Sequence, residues 1–149
     1  MRRFRIALLA LLIVAAALYG GWRLLRPHLS DADQIKAQLL SAAKAAEDHR
    51  VGSLLEIIAD DYNDGVYTRA DIVNLARAGL RPGRDMTVGV ILKKLTIQGQ
   101  TATTDFETDI AVKPGGEAGS YHIVADWRKG RHGWQILRAH GWEGTAELQ

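Results

Sequence analysis

The chain has 149 residues and no cysteine, with 19 lysines and arginines against 17 acids, a formal charge of +2 at pH 7. Without cysteine there are no disulfides, thiolate metal sites or thiol nucleophiles, so the fold must rest on its apolar core. The charge is unevenly spread. Five arginines and no acid lie in the first thirty residues, which leaves residues 30–149 with 14 basic and 17 acidic side chains, a net of −3.

From Ile6 to Trp22 the residues are all apolar or small, with Arg2, Arg3 and Arg5 before the run and Arg23 and Arg26 after it. At about 1.5 Å per residue the run is roughly 25 Å long, and Leu24 and Leu25, with Arg23 snorkelling, extend it to the bilayer core. This predicts one transmembrane helix, a cytoplasmic N-terminus and an extracytoplasmic C-terminal domain at the inner membrane. The rival is a signal peptide cleaved at Ala15-Ala16-Ala17, which would release the domain as a secreted or periplasmic protein. Leu18, Tyr19 and Trp22 lie beyond that site and speak for retention. Residues 1–29 are therefore an anchor or signal segment with the short linker Pro27-His28-Leu29. Residues 30–149 are enough for one domain that buries roughly two-thirds of its unfolded surface.

Ser30 and Asp33 form a capping box that opens a helix to about Asp48, with Ile35, Leu39, Ala42, Ala43 and Ala46 at helical spacing. A second helix runs from Val51 to Ala59. Asp60 to Gly65 is a turn, with Asn63-Asp64-Gly65 suited to positive backbone torsions. Thr68 and Asp71 cap a third helix from about Arg69 to Ala78, Tyr67 and Ile72 staple its start, and Gly79 ends it.

From Met86 the apolar period becomes two. Met86, Val88, Val90 and Leu92 share a face, Leu95 and Ile97 take the opposite parity, and the slip at Lys93-Lys94 predicts a β-bulge. After Gln98-Gly99-Gln100 a long strand places Ala102, Phe106, Ile110 and Val112 on one side. Thr101, Thr103, Asp105, Glu107 and Asp109 fall on the other. Strands from Tyr121 to Lys129 and from Trp134 to Trp142 close the chain. The expectation is an α+β fold: three N-terminal helices packed on a curved antiparallel four-strand sheet, preceded by one transmembrane helix.

This layout resembles the nuclear transport factor 2-like superfamily, the cystatin-like cone that includes ketosteroid isomerases and SnoaL-like polyketide cyclases. The resemblance rests on Leu54 to Asp61, on the capped Tyr67-Thr68-Arg69-Ala70-Asp71-Ile72, on the bent strands, and on the hairpin from Trp127 through Gly133-Trp134-Gln135-Ile136. It spans nearly all of Ser30 to Trp142. An isomerase-like member would need a base carboxylate and two oxyanion donors, a tyrosine and a protonated carboxylic acid. By motif spacing the tyrosine falls near Ala42 and the acid near Ala125, and neither can donate a side-chain hydrogen bond. The base could correspond to Asp64. The resemblance thus implies the fold without proton-transfer chemistry, and fold alone does not select a function.

Arg138, His140 and Trp142 alternate along the last strand and are expected on one face. With Tyr62 they could line a pocket inside the cone; otherwise Arg138 and His140 form a solvated rim and Trp142 caps the core. His122 and His132 look exposed, and no cofactor or metal site is predicted. Asp60 to Asp71 has the length of a calcium loop, but Tyr62 stands where an oxygen ligand belongs and Asp71 where a longer glutamate would be bidentate. The Asp105, Glu107, Asp109 stripe reads as a solvated face or a protein interface. It speaks against nucleic acid, and Gly115-Gly116 lacks the rest of a phosphate loop. The expected function is a membrane-tethered, extracytoplasmic, non-catalytic binding or assembly module. Its partners would be the membrane through residues 6–22 and a protein or second copy through the sheet face; similar domains in bacterial secretion machines also sit behind one membrane helix. The alternative is an enzyme or carrier for a small apolar ligand held in the cone.

Overall fold

The computed structural model describes residues 29–114, 116 and 118–142. The chain divides into two units, Met1–Ser30 and Asp31–Gln149, and every described helix and strand belongs to the second. No helix among the described residues is long and apolar enough to cross a membrane, and the apolar run from Ile6 to Trp22 lies outside them.

Three helices precede the sheet: α1 (Asp31–Glu47), α2 (Val51–Leu55) and α3 (Arg69–Gly79). The sheet is an antiparallel meander of β1 (Asp85–Gln98), β2 (Thr101–Lys113), β3 (Ala118–Gly130) and β4 (Gly133–His140), in the order β1-β2-β3-β4. The helices lie against the face that carries Ala102, Phe106, Ala125 and Trp127. Trp127 is fully buried, and its indole N–H donates to the Thr104 hydroxyl at 2.8 Å, so the core buries the ring without stranding its polar atom.

Ile35 and Leu39 of α1 enter this core, whereas Ala42, Ala43 and Ala46 stop half-buried. Ala45, off the expected stripe, is fully buried because α1 is covered by both β1 and α2. At its start Asp31 Oδ1 accepts from Lys129 Nζ at 2.6 Å and from the Trp134 indole at 3.1 Å, which ties the first turn to the β3–β4 hairpin. His49, in the left-handed region at φ 56°, ends the helix, and Arg50 N donates to Ala45 O.

The second helix stops at Leu55, four residues short of the Ala59 expected from sequence. Ala59 N donates to Ile136 O at 2.9 Å and Ile136 N to Ile57 O at 2.7 Å, and Asn63 N donates to Leu137 O farther along. The open edge of β4 thus offers this segment backbone partners with which a helix cannot compete. The third helix begins as expected: Thr68 N and Oγ1 both donate to Asp71 Oδ2, at 2.8 and 2.7 Å.

The β1 bulge falls where the apolar pattern slips, between Leu92 and Lys94. Leu92 pairs with Phe106, Leu95 with Thr104 and Ile97 with Ala102, so the extra residue keeps both apolar sets on the helix-facing side. A second bulge is not written in the pattern. Trp127 pairs with Ile136 but Asp126 with Arg138, which leaves Leu137 over.

Candidate functional site

Between the helices and the curved sheet lies a cavity of about 430 Å³. Its wall is built from the half-buried alanines of α1, Leu75 and Ala76 of α3, Met86 and Val88 of β1, and Phe106 of β2. Among the described residues every lining side chain is non-ionisable. One buried hydroxyl, that of Thr108, belongs to the wall, and it is already spent on Gly89 O at 2.9 Å. The small α1 side chains explain the hollow: methyl groups at positions 42, 43 and 46 hold the helix on the sheet without filling the space beneath it.

Trp142 closes one end of the wall. Gly141 makes this possible, since its φ of +92° turns the chain at the end of β4 and a Cβ there would overlap the His122 carbonyl oxygen. The Trp142 ring tilts against Tyr67 at a centroid distance of 4.8 Å. Behind this pair Tyr62 is buried, and its hydroxyl donates to Asp64 Oδ2 at 2.8 Å. Asp64 Oδ1 accepts from the N–H groups of Val66 and Tyr67 at 2.9 and 2.7 Å. Burial, then the neighbouring Asp64 charge, pushes the Tyr62 hydroxyl well above its ordinary range. Burial also acts to raise the Asp64 carboxyl, but the two backbone N–H groups, the Tyr62 hydroxyl and the Trp142 indole outweigh it and hold it below the usual value. The Trp142 N–H is buried and meets no hydrogen-bond geometry. An acid held ionised by three donors is a poor proton acceptor at neutral pH, so Asp64 is arranged as the knot of a loop.

Of the four candidate residues, the structure gathers Tyr62 and Trp142 at the Asp64 loop and puts only Trp142 in the cavity wall. Arg138 and His140 do not share its face. The Leu137 bulge reverses their parity, so both stand exposed on the outer side of the sheet. There Arg138 Nε donates to Asp126 Oδ2 at 2.6 Å, and Thr103 Oγ1 donates to Asp126 Oδ1 at 3.0 Å. Arg138 also borders a shallow outer groove of about 310 Å³ with Thr96, Gln98 and Thr101. Ala42 lines the cavity and Ala125 is fully buried, so the two positions that motif spacing set against the isomerase donors carry only methyl groups.

The acidic stripe is taken up by cross-strand partners. Glu107 pairs with Lys93 at 2.9 Å, Asp105 with His122 at 2.6 Å, and Asp109 accepts from the Ser120 hydroxyl. Along the Asp60 to Asp71 loop Asp60 lies 3.5 Å from Arg69, Asp64 faces its own backbone and Asp71 caps α3. Among the described residues no group of three or more histidines and carboxylates is placed to hold a metal ion. Glu47, which no sequence motif marked, caps the outer edge of β1 beside the cavity: its Oε1 accepts the Val88 N–H at 3.0 Å.

No protein-family model and no curated protein matches the sequence. Solved structures do match in three dimensions. A cystatin-like domain of unknown function from Nostoc punctiforme superposes with a TM-score of 0.60 at 13% identity, over 73% of this chain and 74% of that one. An NTF2-like protein with a cystatin-like fold from Novosphingobium aromaticivorans gives 0.58 at 22% identity, over 88% and 92%. An NTF2-like protein from Cytophaga hutchinsonii gives 0.57 at 13%, over 74% and 96%. At these identities the likeness is one of fold: the described domain has the NTF2-like, cystatin-like α+β architecture.

Proposed function

We propose that the domain is a non-catalytic binding module that receives an apolar group in its cone, carried at the extracytoplasmic face of a membrane by residues 6–22. The observation that carries this reading is a cavity of about 430 Å³ whose wall, among the described residues, holds no ionisable side chain. That volume lies in the range of small-molecule sites, while acid–base catalysis needs a titratable group within reach of the reacting atom. The carboxylate near its end, Asp64, is consumed by Tyr62, Val66 and Tyr67.

A neutral alkanol bearing a diazirine, photolysed with the full chain in phosphatidylcholine nanodiscs, tests the pocket. Peptide mapping should place the label on Leu54, Leu75 and Met86. Ala43→Phe, which grows into the hollow, should abolish that label while leaving the helical circular dichroism intact. Labelling spread over the outer sheet, or unchanged in the variant, would exclude the cone as the binding site.

A second reading, a protein interface on the sheet's outer face, is favoured by Ile91 and Val124. They are 51% and 39% exposed amid the polar cross-strand pairs.

A further inference from the structure

The segment joining α3 to β1 serves the cavity and carries a concentrated charge. Leu75, Ala76, Gly79 and Leu80 from the end of α3, and Met86 and Val88 from the start of β1, all belong to the wall. Between and beside them stand Arg77, Arg81 and Arg84, all exposed. From Ile72 to Arg84 there is no acidic residue, in a domain whose net charge is −3. Among the described residues these three arginines make no ion pair, although most of the domain's other lysines and arginines do. Glu47, beside the start of β1, accepts from Val88 N and lies 3.7 Å from Lys44, and Asp85, the next acid along the chain, makes no ion pair with these arginines among the described residues. The Pro82-Gly83 turn, with Gly83 at φ +94°, sets Arg81 and Arg84 on either side of one tight bend.

From an uncharged hollow whose wall residues alternate in sequence with three exposed, unpaired arginines, we infer that the cone takes a single-chain amphipathic anion. The aliphatic tail lies against Leu75, Leu80 and Met86, and a carboxylate or phosphate head meets Arg77, Arg81 and Arg84. The inference rests on the cone being a binding site and adds the ligand's charge. Guanidinium groups suit such a head because their fixed forks match carboxylate and phosphate oxygens.

Competition against the alkanol label, in the same nanodiscs with the full chain, tests it. Dodecanoate should displace the label at about tenfold lower concentration than dodecanol, since three exposed charge contacts of up to about 0.5 kcal/mol each amount to one decade. Inorganic phosphate alone should not displace it, and added salt should erode the advantage of the anion. The triple variant Arg77→Gln, Arg81→Gln, Arg84→Gln changes only exposed side chains. It should bring dodecanoate down to dodecanol while dodecanol itself is unchanged. Equal competition by the two in the unaltered chain, or an anion advantage that survives the triple variant, overturns the role of the arginines and leaves the apolar pocket standing. Failure of every tail compound to displace the label removes the pocket itself.

Discussion

Asp64 shows how one residue can look like chemistry and serve as structure. Its carboxylate organises the loop between α2 and α3 by accepting from Tyr62, Val66 and Tyr67 at once. Because its folded pKa is depressed, its contribution to stability is fully present above the unfolded carboxylate value of about 3.9 and is lost as pH falls through the lower folded value. Asp31, held down first by Lys129, and Asp61, held down first by Arg128, act in the same direction. The melting temperature should therefore fall as pH drops from about 5 to about 2, with a steep limb below about 4. Asp64→Asn should cost about 1–2 kcal/mol at pH 7 by urea denaturation and flatten, without abolishing, that acid limb. An undiminished limb in the Asp64→Asn chain would show that the loop does not hold this carboxylate ionised. The turn itself was legible in Asn63-Asp64-Gly65. The direction of the carboxylate was not, because it depends on a tyrosine hydroxyl buried by β4 and Trp142.

At the scale of elements, legibility followed periodicity. The β1 bulge could be located from sequence because Leu95 and Ile97 change parity against Met86 to Leu92, and a strand facing one core can absorb such a slip only with an extra residue. The β4 bulge left no such trace. Arg138 and His140 are polar and fit either face, so only the pairing of Asp126 with Arg138 reveals the extra Leu137. That one residue separates Arg138 and His140 from Trp142 and dissolves the expected pocket of three. The early end of α2 was hidden for a related reason, since Ile57 and Ala59 exchange hydrogen bonds with Ile136, a partner far along the chain. The β1 bulge offers a sharp test. Deleting Lys93 alone removes the extra residue and leaves both apolar sets on one strict alternation, so that chain should stay folded with a straighter β1. Deleting Lys93 and Lys94 together puts Leu95 and Ile97 on the opposite parity, with no residue left to absorb the slip. Losing burial of even these two side chains costs about 3–6 kcal/mol, a large share of the roughly 5–15 kcal/mol typical of a domain. The double deletion should be unfolded or strongly destabilised in urea. Lys93→Ala keeps the residue count and loses only the exposed pair with Glu107, so it should fall within about 1 kcal/mol of the parent.

For the whole molecule, the sequence separates two charge regimes that the proposed function puts to use: five arginines around an apolar run, then a domain of net −3. Cone and helices were readable because alternation, capping and glycine stops are local signals. The hollow was not, since the same alanine stripe on α1 would suit a filled core, and the arginine-rich segment gained meaning only once its neighbours proved to line a cavity. The core of the domain draws on α1, β2, β3 and β4 together, and Asp31 fixes the first turn of α1 to the last hairpin. These contacts lie within residues 31–142, and a chain beginning at Ser30 should keep the helical circular dichroism of the domain. If residues 6–22 are the sole tether, the full chain should stay in the membrane pellet after carbonate extraction, and the chain lacking residues 1–29 should be soluble with unchanged alkanol labelling of Leu75 and Met86. Sedimentation of that soluble domain then reads the outer sheet face: a dimer dispersed by Ile91→Lys with Val124→Lys would establish the face as an interface, and a monomer would reject self-association through it. A truncated chain that remained with the membrane would place the attachment on the domain itself, where Arg77, Arg81 and Arg84 stand exposed.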